Sequence, residues 1–120
     1  MNEMERRLKE LHYLFVEKQD RTVAYCLELD LVTAAPDTTI AEKRLNAVVS
    51  AQLVRAYTSG NFDALFFRAP ENLWKEMDHA EKLPRKFLKL KTAPPMVLPV
   101  EQRKLSLRLP VYRAIAAVAA

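Results

Sequence analysis

The sequence is short of several residue types, and each shortage excludes a class of function. It has one cysteine, Cys26, so no disulfide can form within the chain. Its one glycine, Gly60, cannot build the glycine-rich loop that cradles phosphates in nucleotide-binding proteins. Its two histidines, His12 and His79, lie in different predicted elements, and no cysteine or histidine stands at metal-ligand spacing from them. We therefore expect no disulfide, no cofactor and no metal site.

Long apolar runs are also missing. A membrane-spanning helix needs roughly 18 consecutive apolar residues. The most apolar stretch, residues 111–120, is short and rich in alanine. No charged-then-apolar leader follows Met1, which argues against secretion. We expect a cytoplasmic protein with no membrane partner.

Acidic residues are scarce in the last third of the chain. Residues 81–120 contain 9 Lys and Arg against 2 Asp and Glu, a net charge of +7, whereas residues 1–80 contain 10 against 13, a net charge of −3. A basic tail on a mildly acidic body indicates an anionic partner, either nucleic acid or an acidic protein face. The alternative is a lysine-rich strand edge that prevents aggregation.

Residues 22–60 contain the clearest pattern in the sequence. Side chains alternate with the period of two that is typical of a strand from residue 22 to residue 30. One face would hold Val23, Tyr25, Leu27 and Leu29, and the other Ala24, Cys26, Glu28 and Asp30. A second apolar segment follows at residues 31–35. After Pro36, apolar residues recur at spacings of three and four, which predicts an amphipathic helix that ends at Gly60.

The remaining elements are predicted to pair with this strand or to pack on this helix. Pro70 fits the first turn of a second helix, whose Leu73, Trp74 and Met77 we assign to core packing. The other expected elements are a strand at 11–17, a loop at 18–21, a fourth strand at 62–68, a basic strand at 85–91, a proline-rich linker at 92–103, a strand at 104–109 and a short helix after Pro110.

The order of elements predicts the α+β class. We expect a three- to four-stranded antiparallel sheet, in the order β-β-β-α-β-α, packed on one main helix and followed by a C-terminal strand and short helix. The chain would divide into an α+β domain at 1–91, the linker at 92–103 and a basic strand-helix tail at 104–120.

Few polar groups are placed for catalysis. Cys26 is expected to pack as a small hydrophobic side chain, because no histidine can be placed beside it as a base. Four carboxylates, Glu17, Asp20, Glu28 and Asp30, cluster in the sequence near the hairpin and could bind Mg²⁺ for two-metal phosphodiester hydrolysis. Glu28 and Asp30 also fit the solvent face of a strand, and we favour that interpretation. We therefore expect the protein not to be an enzyme.

The run VAYCLELDLVTAAPDTTIAEKRLNAVV resembles the core motif of HicB-like proteins, the antitoxin half of a bacterial toxin–antitoxin pair. That motif is a hairpin, then (V/A)-A-x-C-x-E-L, a short strand, and D-T-x-x-E-A at the start of a helix. The matching positions are Ala24, Tyr25, Cys26, Glu28, Leu29, Asp37, Thr38 and, one place out of step, Ala41 and Glu42. The resemblance covers about residues 11–60. It implies a partial ribonuclease-H-like fold, β-β-β-α-β, that lacks an active site.

The sequence departs from the family pattern at two places. The glycine-bearing turn usual after the E-L strand is replaced by LDLVTAAP, so the surface there need not bind the same toxin. The tail resembles the ribbon and first helix of a ribbon-helix-helix, with Lys104, Ser106 and Arg108 as the exposed strand residues that a dimer would place in a major groove. Because no second helix follows, we favour pairing of this strand within a dimer or with the body of the protein.

Taken together, the resemblance and the charge distribution imply a non-catalytic interaction protein of the HicB-like antitoxin type. It would form a homodimer and bind a small toxin protein through the sheet, with operator DNA as a further candidate partner at the basic tail. The alternatives are a divergent magnesium-dependent nuclease that uses the hairpin carboxylates, and a stand-alone domain with a ligand that the sequence does not reveal.

Overall fold

A computed structural model describes residues 8–106 of the chain as an α+β structure with a mixed sheet. The strands are β1 Leu11–Glu17, β2 Thr22–Cys26, β3 Leu31–Ala35, β4 Glu81–Lys82, β5 Lys86–Leu90 and β6 Met96–Ser106. The helices are α1 Thr38–Ser59 and α2 Glu71–His79. This confirms the predicted class and the predicted packing of a sheet on one main helix.

The sheet has the order β3-β2-β1-β6-β4, and β5 pairs with β6 beside β4. The first three strands form the antiparallel meander that the sequence predicts, with Tyr13 opposite Cys26 and Tyr25 opposite Val32. The next neighbour of β1 is β6, which runs parallel to it and places His12 opposite Glu101. The sheet is therefore mixed, because this parallel pair joins two antiparallel parts.

Helix α1 begins and ends where the local sequence specifies. Asp37 accepts a hydrogen bond from the backbone N–H of Ile40 at 2.8 Å, so it caps the start of the helix. Gly60 has φ 73° and donates its N–H to the carbonyl of Ala56. Only glycine adopts this left-handed conformation without steric cost, which explains why the helix ends at this residue.

The two faces of the sheet are covered by different elements. Helix α1 packs on one face, here called the α1 face, with Ala41, Leu45, Val49, Leu53 and Ala56 buried against strand residues that include Phe15, Ala24 and Cys26. On the other face, here called the α2 face, Leu14 and Leu27 pack with Met77 and Ala80 at the end of α2. Leu73 and Trp74 lie beside this smaller core, as predicted. Because α2 is short, it covers only part of its face.

Two predicted strands take a different form. The strand predicted through residue 30 ends at Cys26, and residues 27–30 form a turn in which Asp30 has φ 50°. Residues 62–68 form no strand. They make a turn in which the N–H of Leu65 bonds to the carbonyl of Phe62, and both side chains pack on the core of the α1 face. Phe62 and Phe66 thus pack against the core from a loop, whereas Phe67 is exposed.

The predicted proline-rich linker at 92–103 is wrong, because residues 96–103 belong to β6. This strand pairs with β5 over residues 96–100 and with β1 over residues 100–106. The basic strand predicted at 85–91 is confirmed as β5. Of the strand predicted at 104–109, residues 104–106 are the end of β6. Arg108 and the short helix predicted after Pro110 lie outside the described residues.

Candidate interaction surface

Strand β3 forms an open edge of the sheet, since it pairs with β2 on one side and ends the strand order on the other. Its sequence, LVTAA, contains no charged residue and no proline. The side chain of Val32 is 58% exposed. One edge acceptor is occupied, because Arg44 of α1 donates a hydrogen bond to the carbonyl of Ala34 at 2.8 Å. Residues 31–33 remain as an uncharged strand edge within the described part of the chain.

The opposite edge of the sheet is built differently. There β5 has the sequence KFLKL, and Pro84 separates it from β4. Charged residues and proline at an edge discourage pairing with another strand. Protection of a strand edge by lysine is the alternative to an anionic partner that the basic tail also allowed. Of the two edges, β3 is therefore the one open to a partner strand.

Two of the three side chains predicted to contact nucleic acid, Lys104 and Ser106, are held by the protein itself. Lys104 Nζ lies 3.0 Å from Glu17 Oε1, and Ser106 donates a hydrogen bond to Glu17 Oε2 at 3.2 Å. Strand β6 places both residues next to the end of β1, where Glu17 lies opposite Ser106. Part of the positive charge of the tail is thus neutralised by a carboxylate of the body.

Other basic residues of the last third follow the same pattern. Arg85 lies 2.6 Å from Glu10, and Lys86 lies 2.7 Å from Glu42. The second oxygen of Glu42 accepts a hydrogen bond from the buried Gln102 at 3.1 Å. The charge asymmetry of the sequence is therefore used in part to join the C-terminal strands to the strands and helix that precede them.

The residues on which the resemblance to HicB-like proteins depends have structural roles in this fold. Ala24 and Cys26 are fully buried on the α1 face, and burial raises the pKa of the Cys26 thiol. A thiol with a raised pKa is a poor nucleophile at neutral pH, which agrees with the predicted packing role. Leu29 is buried in the same core, and Tyr25 lies half-buried on the α2 face. Asp37 caps α1, and Thr38 is its first residue.

Glu28 differs from its predicted place on a solvent face. Its carboxylate accepts hydrogen bonds from both the backbone N–H of His12, at 2.7 Å, and the ring Nδ1 of His12, at 2.5 Å. The other ring nitrogen, Nε2, lies 3.2 Å from Glu101 Oε2. The imidazole of His12 is thus held between two carboxylates from different parts of the chain.

This arrangement changes two pKa values. The hydrogen bond to Glu28 raises the pKa of His12, burial opposes the change, and the charges of Glu28, Glu101 and Glu10 add to it. Burial acts to raise the pKa of Glu101, but the hydrogen bonds and charge of Arg103 outweigh it, so that this pKa is lowered. His12 is therefore stabilised as a cation and Glu101 as an anion.

Aromatic contacts extend the His12 group toward α2. The ring centroids of His12 and Trp74 are 5.5 Å apart with an angle of 58° between the planes. The guanidinium of Arg68 lies over the Trp74 ring, 4.1 Å from its centre. Trp74 is the one tryptophan of the chain. Its fluorescence will therefore report on the surroundings of His12.

The four carboxylates of the nuclease hypothesis lie apart. Glu28 bonds to His12 near the start of β1, whereas Glu17 ends the same strand five residues later. At about 3.3 Å per residue these two positions are roughly 16 Å apart, four times the separation of a two-metal site. Within residues 8–106, the one group of three or more potential metal ligands is Glu10, His12 and Glu101. Asp20 and Asp30 do not belong to it.

Comparisons with known proteins give no assignment. No family model, no curated protein and no solved structure matches the chain. Neither helix within the described residues combines the length and the apolar character that a membrane crossing requires. The interpretation of function therefore depends on the open edge of β3 and on the polar group around His12.

Proposed function

We propose that the chain is a non-catalytic interaction protein of the HicB-like antitoxin type, cytoplasmic and dimeric, that binds a small toxin protein through its sheet. One observation carries the proposal: β3 presents an uncharged, exposed strand edge with no neighbouring strand among residues 8–106. Proteins that only maintain a fold usually protect such an edge with charge or proline, and this protein does so at β5.

The order of elements supports the same proposal. Three antiparallel strands lead into the long helix α1, and a later strand, β6, pairs with β1. This agrees with the β-β-β-α-β order that the resemblance implies. The motif residues Cys26 and Asp37 act as fold residues, by packing in the core and by capping the helix. Motif residues that stabilise the fold and take no part in catalysis are what we expect of a non-catalytic protein.

The geometry favours strand addition as the mode of binding. A partner segment that adds to β3 would gain main-chain hydrogen bonds along residues 31–33. The exposed Val32 would lie next to the added strand and give the contact an apolar side chain. Most of the contacts in such an interface are backbone hydrogen bonds, which do not depend on side-chain identity. Strand addition is therefore compatible with the LDLVTAAP segment, where the sequence departs from the family pattern.

The Val32→Lys variant tests this mode of binding. We expect it to weaken the complex with the protein encoded by the adjacent small reading frame at least tenfold, because a lysine on the edge opposes strand addition. The matched control is Val97→Lys on β6, since Val97 is 55% exposed and Val32 is 58% exposed. Isothermal titration of the purified proteins measures both. Equal loss in the two variants, or no binding by the wild type, would contradict the proposal.

The DNA part of the proposal has a separate test. Binding of the wild type to DNA from its own promoter should weaken steeply as salt rises from 50 to 200 mM, if phosphates are the partner. Arg108→Ala should weaken this binding. Lys104→Ala serves as the comparison, because Lys104 is already paired with Glu17 and is expected to contribute less. Affinity that does not change with salt would contradict a DNA-binding role.

A further inference from the structure

Three residues with metal-binding side chains meet at the junction of β1 and β6. Glu10 and His12 are two residues apart, so both side chains lie on the α2 face of the sheet. Glu101 lies on the same face, opposite His12 in the parallel pairing. One ligand atom from each of the three residues lies within 4.8 Å of the others. All three are partly accessible to solvent, so an ion can reach them.

The histidine ring is oriented from outside this group. Glu28, in the turn after β2, holds both the backbone N–H and Nδ1 of His12. Metal-binding histidines commonly donate their second ring N–H to a carboxylate in this way, which fixes the ring and makes the other nitrogen a better ligand. Here Nε2 is the nitrogen left to face Glu101. Glu28 thus fixes the ring with Nε2 directed at Glu101, and an ion that binds there replaces the Nε2 proton.

We propose that Glu10, His12 and Glu101 bind a divalent transition-metal ion, with Zn²⁺ as the best match. Two ligand atoms about 2.0–2.1 Å from a tetrahedral zinc ion are roughly 3.3 Å apart. The observed distance from Nε2 of His12 to Oε2 of Glu101 is 3.2 Å. Glu10 completes a set of one nitrogen and two oxygen donors when its side chain moves inward. A fourth position remains open to water.

Two arginines form ion pairs with the carboxylates of the site. Arg103 Nε and one of its terminal nitrogens both donate to Glu101 Oε1, at 3.2 and 3.0 Å, while Oε2 faces His12. Arg85 pairs with Oε1 of Glu10 at 2.6 Å. Each arginine thus holds one carboxylate oxygen in place, and at Glu101 the other oxygen, Oε2, is left facing His12.

A bound ion would join β1 to β6, the parallel pair that connects the two ends of the described chain. The sequence did not indicate this site, because its ligands come from residues 10, 12 and 101 and only the pairing of β1 with β6 brings them together. The site is independent of the proposed partner at β3, which lies at the far edge of the sheet. Either inference can fail without the other.

The first test is a titration of the full-length, untagged, metal-free protein with Zn²⁺, followed by the fluorescence of Trp74. Because the tilted rings of Trp74 and His12 are in contact, with centroids 5.5 Å apart, we expect a saturable change in Trp74 emission with a stoichiometry of one ion per chain. At 100 times the dissociation constant, Zn²⁺ should raise the melting temperature by about 10 °C. Co²⁺ should give the visible absorption of a four-coordinate site. No change in emission and melting up to 1 mM Zn²⁺ would overturn the proposal.

Variants separate the site from adventitious binding. His12→Gln and Glu101→Gln should each weaken Zn²⁺ binding at least tenfold, and Glu28→Gln should weaken it about tenfold through the orientation of the ring. His79→Gln is the matched control and should bind as the wild type does. Glu10→Gln changes a partly exposed residue before β1, so we expect it to fold and to weaken binding as well. Circular dichroism checks folding. An equal loss in His79→Gln, or full affinity in Glu10→Gln, would overturn the assignment.

Discussion

The variant Phe15→Ala is expected to lower the free energy of unfolding by about 3–5 kcal/mol, because it leaves a cavity in the main core. Phe15 is fully buried in the middle of β1, and its ring meets the ring of Tyr13 edge to face with centroids 6.3 Å apart. Strands β2 and β6 lie on either side of β1, and α1 covers this face. These fixed neighbours cannot collapse into the space that the ring leaves.

Urea denaturation followed by circular dichroism measures this effect. The matched control is Phe87→Ala on β5, since the side chain of Phe87 is 61% exposed. Its free energy of unfolding should stay within about 0.5–1 kcal/mol of the wild-type value. A loss at Phe87 as large as that at Phe15 would show that the α2 face of β5 is covered in solution, for example by a second copy of the chain.

The second large effect is expected at Glu28. In metal-free protein with a chelator present, Glu28→Gln should lower the free energy of unfolding by about 1–3 kcal/mol at pH 6. An amide retains one oxygen acceptor, so one of the two N–H groups of His12 loses its partner. The charge that stabilises the imidazolium is lost as well. Glu76→Gln, a change on the exposed face of α2, is the control and should cost less than about 0.5 kcal/mol.

The same pair of proteins tests the pKa of His12. Its folded-state pKa is raised above the ordinary value of 6.5, so the stabilisation is complete below pH 6.5 and is lost as the pH rises through the folded-state pKa. The wild type should therefore lose stability as the pH rises above 6.5. Glu28→Gln should lose less, because the hydrogen bond that raises the pKa is gone. Parallel pH profiles for the two proteins would contradict this account.

The contribution of Glu101 to stability changes with pH in the opposite direction. The pKa of this carboxyl is lowered in the folded state, so its contribution is present above its ordinary value of 4.5 and is lost as the pH falls through the folded-state pKa. The contributions of His12 and Glu101 are thus both present between about pH 4.5 and 6.5. We therefore expect the combined contribution of His12 and Glu101 to the free energy of unfolding of the wild type to be greatest in that range.

The parts of the fold that the sequence predicts well depend on local chemistry. The limits of α1 follow from Asp37 and Gly60, and both residues act within one turn of the helix end. The pairing of β1 with β2 requires only a short loop and two apolar runs. Packing of Cys26 in the core follows from its neighbours on the strand. In each case the residues that decide the structure are close together in the sequence.

Strand β6 was missed because its stability comes from distant partners. Prolines at 94, 95 and 99 argue against a strand when the sequence is considered alone. In the structure Pro99 lies in the part of β6 that pairs with β5 alone, before β1 joins at Val100. On that stretch one side of the strand has no neighbour within the described chain, so the missing N–H of proline costs little.

The polar group around His12 was missed for the same reason. Its carboxylates come from residues 10, 28 and 101, and only the neighbouring positions of β1, β6 and the turn after β2 bring them together. Glu28 was assigned to a solvent face because alternation was extended through residue 30, whereas the strand ends at Cys26. The turn changes the direction of Glu28 and points it at His12.

The parallel pairing of β1 with β6 has a consequence for the newly made protein. Ribosomes add about 5–20 residues per second, and β1, β2, β3 and α1 are complete by residue 59. The strand that covers the other side of β1 ends at Ser106, so it emerges several seconds later. Until then the central strand of the sheet has a free edge on the growing chain. Lowering the temperature of expression, which slows synthesis, should therefore increase the time during which this edge can pair with another nascent copy.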